Sequence, residues 1–219
     1  MEVLLYLDSV LIPLSLFIML GYHANLWRCF KNKPSHTSVG IDALRRRVWF
    51  FGLTEGDEKK VTLAVQSLRN TLMAAGLTAQ VSILVAVALA AMLNNAYKGT
   101  HVFHTAVFAP QSGQIFALKY ASASAFLLLS FFFSSMAFCF LIDAGFLMSV
   151  VSCDQFSSHL YTQRIFERGF LMALIGNRIL CMSFPLLLWM FGPLPVVLAA
   201  VGLVWGLYEL DFVSNSTKS

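Results

Sequence analysis

The residues with the strongest claim to chemistry are polar groups set in apolar surroundings. Gln66, Arg69, Met73, Gly76 and Gln80 follow one another at steps of three and four, with Asn70 beside Arg69. On a helix that spacing places Gln66, Arg69 and Gln80 on one side. In lipid such a side is expected to face other helices, where its groups serve either as interhelical hydrogen-bond partners or as the lining of a polar route. Ser135, Cys139 and Asp143 recur at four-residue steps and stack in the same way. Asn177 and Arg178 fall near the middle of a further apolar stretch. A charge at the bilayer centre costs at least ~2.5 kcal/mol, so Arg178 is expected to find a partner, and Asp143 is the carboxylate proposed for it. The pair reads as structural charge compensation or as one step of a proton or ion path.

Other reactive types give less. His101 and His104 have the spacing of two metal ligands on a helical turn, but no nearby Cys, Asp or Glu completes a set, so no metal or cofactor is expected. Cys29, Cys139, Cys153 and Cys181 stand singly, without a Cys-x-x-Cys motif. Cys29 and Cys153 sit where helices are expected to meet the cytoplasm, positions open to palmitoylation, and Cys139 and Cys181 read as packing residues. Gly-rich phosphate loops, Gly-x-Ser-x-Gly and His-Glu-x-x-His are all missing, so an enzyme is not expected.

The elements that must hold these residues are membrane helices. Hydrophobic residues make up 58% of the 219 positions and charged residues 12%, about half the charge of an average soluble domain. The fold class expected is all-α, a single polytopic transmembrane bundle with helices at about 3–27, 61–95, 120–151, 165–191 and 195–212. The last two count as one kinked span, and the total as four, if Gly192-Pro193-Leu194-Pro195 bends a helix instead of joining two. The opening apolar stretch lacks a basic n-region and a small-residue cleavage site, so it is expected to persist as a helix.

Charge sets the expected orientation. The net charge of +4 is concentrated in residues 28–60, the most basic segment, which the positive-inside rule makes cytoplasmic. Five crossings then put the N-terminus outside and the C-terminus in the cytoplasm; a four-helix chain would expose the Asn215-Ser216-Thr217 sequon outside. Placed beside a hydrophobic helix, the excess charge marks topology, and no nucleic-acid partner is expected. Within that segment Ile41, Leu44, Val48 and Phe51 repeat at helical spacing around Arg45, Arg46 and Arg47. They form either a short interfacial helix holding anionic membrane lipid or a solvated topology signal. Small residues mark surfaces for close packing, Gly169 and Gly176 on the fourth helix and Gly202 and Gly206 on the fifth, within one chain or in a homo-oligomer.

Several blocks look familiar together: Gly21-Tyr22-His23, then Pro34, Thr37 and Gly40, then Ala64-Val65-Gln66-Ser67-Leu68-Arg69-Asn70-Thr71-Leu72-Met73-Ala74, and Pro185 through Pro195. In these the chain resembles the plant branch of the domain of unknown function 599 family. The resemblance implies a multi-pass plant membrane protein and carries over no activity, substrate or catalytic residue. Two functions stay open: a membrane scaffold or accessory subunit binding lipid and a partner membrane protein, and a small oligomeric ion or solute transporter or channel. The absence of an evident internal repeat weighs against a transporter of inverted-repeat type.

Overall fold

The computed structural model describes residues 2–51, 58–98, 113–150 and 159–212. Among them run six α-helices: α1 (Glu2–Asn32), α2 (Ser38–Phe51), α3 (Glu58–Lys98), α4 (Gly113–Val150), α5 (His159–Leu188) and α6 (Pro193–Asp211). Five are long and apolar enough to cross a membrane, all but α2. Helices are the expected answer in hydrocarbon, because every backbone N–H and C=O must then be satisfied within the segment. The outward faces agree, since Phe17, Leu84, Leu198 and Trp205 are each at least two-thirds exposed. Apolar surface on that scale suits lipid and not water, so the protein is a multi-pass membrane protein.

Where a bend or a junction was open in sequence, the chain makes a junction. After α5 a 3₁₀ turn over Trp189–Phe191 leads to Gly192, whose φ of 131° is open to glycine and strained for other residues. Pro193 then starts α6 at a position that needs no N–H donor. Three boundaries differ from expectation. Helix α1 continues past Trp27 to Asn32, α4 begins at Gly113 and not near Tyr120, and α5 begins at His159 and not near Ile165. In α1 and α5 polar residues such as Arg28, Lys31, Gln163 and Arg164 carry the helix beyond its apolar part, which hydropathy alone does not register, whereas the added turns of α4 are mixed, Gln114 and Lys119 flanking Ile115 to Leu118.

The sequence suggested one membrane domain, and the chain groups into two compact units, residues 1–52 with 188–219 and residues 53–187. In the first, α1 buries Ile12, Ser15, Met19, Tyr22 and Leu26 at steps of three and four and packs along α6, whose Val196 and Ala200 are fully buried. A 3₁₀ turn over Pro34–His36 links α1 to α2.

In the second unit α3 and α4 pack over much of their length. The α3 face toward α4 is small, with Ala64, Leu68, Ala75, Ala79, Ser82 and Ala86 buried, which lets the backbones come close. Ser82 meets Ser130, Gly76 meets Phe138 and Leu68 meets Gly145, so the two helices run antiparallel. Helix α5 is antiparallel to α4 in turn, with Gly176 against Ser130 and Ser134, and Gly169 against Leu141.

Candidate functional site

The most elaborate polar cluster lies in the first unit, where the ends of α1 and α6 meet the start of α2. The hydroxyl of Tyr22 donates to Asp211 Oδ2 at 2.6 Å, and Asp211 is only 1% exposed. One residue earlier the Leu210 carbonyl accepts from Ser38 Oγ at 2.8 Å, and one later Phe212 forms an isolated antiparallel bridge with Thr37. Three consecutive residues at the C-terminal end of α6 are thus held.

Local chemistry shapes the other side of this clasp. Thr37 is buried and caps α2, its Oγ1 accepting from the Gly40 N–H at 3.1 Å. Gly40 is confined by the chain itself, because a Cβ there would collide with the Pro34 carbonyl oxygen. His23 lies next to Tyr22, the two rings edge to face with centroids 5.2 Å apart. Its Nδ1 is 2.8 Å from the Met19 carbonyl, which can only accept, so Nδ1 carries the proton. Tyr22 thus meets Asp211, a residue that hydropathy merely places at a helix end, and Thr37, with Pro34 and Gly40 beside it, meets the next residue, Phe212. The signal that could have found Asp211 was the acid closing an apolar helix, Glu209 to Asp211.

A second polar layer ties the helices of the second unit. Ser82 Oγ lies 2.9 Å from Ser130 Oγ and 2.7 Å from the Thr78 carbonyl, so its single proton serves one or the other, while Ser130 Oγ donates to the Gly176 carbonyl at 2.8 Å and can accept from Ser82. Ser134 is fully buried, and a Cβ on Gly176 would run into its hydroxyl. Serines in apolar stretches gave little sign of this, since their hydroxyls can also bond back to their own helix.

The polar face expected to turn inward on α3 does not. Gln66, Arg69, Asn70, Met73 and Gln80 are all exposed, and the face packed on α4 is the alanine-rich one. Helix register explains the first three. The antiparallel pairing sets Asn70 level with Asp143, so the uncharged stretch Thr71 to Leu93 lies beside Tyr120 to Ile142. Helix α3 has 41 residues, and hydrocarbon takes about 20, so Gln66, Arg69 and Asn70, which precede the uncharged stretch, lie in a part of the helix that a single crossing does not need.

The proposed Asp143 to Arg178 pair fails on the same register. Residue 143 is level with the part of α5 just before Gly169, whereas Arg178 is level with Ser130 to Phe132, about twelve residues or ~18 Å away along the axis. Asp143 is exposed and makes no ion pair among the described residues; Arg178 is half-buried near mid-belt, at the height of Gln80, with Asn177 exposed beside it.

The remaining positions divide. Gly169 and Gly176 are close-packed, a Cβ on Gly169 lying 2.8 Å from Leu141 Cδ2, but Gly202 and Gly206 have nothing within 4 Å of theirs among the described residues. Ser135 is half-buried; Cys139, expected to pack, is exposed, Cys181 is half-buried, and Cys29 is 3.9 Å from Asn25 Oδ1. On α2, Arg45 and Arg47 are exposed and Arg46 is half-buried. Burial lowers the pKa of Arg46, and neighbouring Asp42 works against the shift. His101, His104, Cys153 and the 215–217 sequon lie outside the described residues. No group of three metal-ligating side chains occurs among those described. An open groove of about 600 Å³ follows α1 past Gly21, Asn25, Arg28 and Lys31.

No curated protein and no solved structure matches the chain. A family model described as a protein of unknown function, DUF599, matches residues 10–216, and the chain belongs to that family.

Proposed function

We propose that this protein is a membrane scaffold or accessory subunit, oriented with α2 and the end of α6 in the cytoplasm and the start of α1 outside. The orientation rests on the basic segment between α1 and α3. The scaffold reading rests on one observation above others, that among the described residues of the second unit the polar side chains do not converge on a route. Gln66, Arg69, Asn70 and Asp143 point outward, and the buried serines of the apolar belt bond to one another and to backbone. Outward polar faces at a membrane border suit a partner membrane protein or a second copy.

An oligomeric channel draws on a single feature, the shared mid-belt height of Gln80 and Arg178, which several copies would have to bring together. Extraction of the full chain in native lipid discs tests the choice by composition and mass. A stoichiometric partner or second copy, released by Arg69→Glu, supports the scaffold. A lone monomer in its native lipid contradicts it.

A further inference from the structure

We propose that α2 is an in-plane docking surface for an anionic lipid leaflet, with Leu44 and Val48 inserted and Arg45 and Arg47 gripping headgroups on either side. One face of the helix is already covered: Phe50 is buried and Ala43 and Arg46 are half-buried, while at the helix start Gly40 is buried against Pro34, and Thr37 and Ser38 fasten that start to α6. The opposite face carries Val48, 72% exposed, and Leu44, 43% exposed, one turn apart, with half-buried Ile41 three residues before.

Helix geometry then orders the flanks. At 100° per residue Arg47 lies about 60° to one side of Leu44 and Arg45 about 60° to the other side of Val48. An apolar stripe between two cationic rails is the arrangement of a helix lying at a bilayer surface, its arginine stems along the acyl boundary and the guanidinium groups at phosphate level. Trp49, 39% exposed beyond Arg45, is of a type enriched at that boundary. Position agrees, because the clasp ties α2 to the end of a membrane-crossing helix. Charge selects the occupant: the exposed flanks are arginine, so the leaflet is anionic.

This inference goes beyond the scaffold reading and holds whether or not the protein conducts. Hydrogen exchange of the full chain in lipid discs tests it, comparing phosphatidylcholine alone with phosphatidylcholine containing phosphatidylserine. Amides 42–50 should be protected more in the anionic discs, by about fivefold for each arginine, and Arg45→Gln with Arg47→Gln should remove the difference. Val48→Ser should reduce protection in both lipids while leaving exchange in α1 unchanged, which separates lost insertion from lost folding. Equal protection in the two lipids, or protection that survives the double substitution, overturns the proposal.

Discussion

Tyr22 and Asp211 stand 189 positions apart in the chain and share a 2.6 Å hydrogen bond in the interior of one unit. The bond closes a ring of contacts in which Ser38 and Thr37 hold the residues on either side of Asp211. Burying a carboxyl is costly unless donors meet it, and here the tyrosine hydroxyl does. Tyr22→Phe removes that donor and should cost ~1–3 kcal/mol, seen as a fall of several degrees in the melting temperature of the purified protein. Asp211→Asn keeps an acceptor oxygen and should cost less than Tyr22→Phe.

Glycines at four positions separate into two groups. Gly40→Ala and Gly176→Ala drive a methyl into the Pro34 carbonyl and the Ser134 hydroxyl, and each should destabilise by at least ~1–3 kcal/mol. Gly202→Ala and Gly206→Ala meet nothing within 4 Å among the described residues and should stay within ~0.5 kcal/mol in thermal melts.

The serine layer should yield to removal of its centre. Ser130→Ala takes away the hydroxyl that reaches both Ser82 and the Gly176 carbonyl, and a loss of ~0.6–1.7 kcal/mol is expected in the same melts. Ser122→Ala, whose hydroxyl bonds within its own helix to Lys119, should cost less.

Charge exchange between Asp143 and Arg178 should rescue nothing. Arg178, half-buried at mid-belt, should lose folded yield when changed to Asp, whereas exposed Asp143 should tolerate Arg within ~0.5 kcal/mol. The double variant should match Arg178→Asp alone in yield.

Much of the architecture was legible in hydropathy. The five apolar stretches became the five long helices, and the Gly192-Pro193 signal marked the junction before α6. Pattern failed where its assumption failed. Spacing grouped Gln66, Arg69 and Gln80 correctly on one face but could not say which face α4 would choose, and small alanines won because they allow closer backbones. The Asp143 to Arg178 proposal used charge and depth without register, and register exists only once two helices pack. Asp211 escaped notice because a terminal acid looks solvated until a distant tyrosine is brought to it.

Among the described residues of the second unit, Gln66, Arg69, Asn70 and Asp143 face outward and form no continuous polar route. The direct test is ion conductance of the purified protein in liposomes, wild type beside Arg69→Ala and Asp143→Asn. No conductance above protein-free liposomes is expected in any of the three. Wild-type conductance that either substitution abolishes would contradict that expectation and make those side chains part of a pathway.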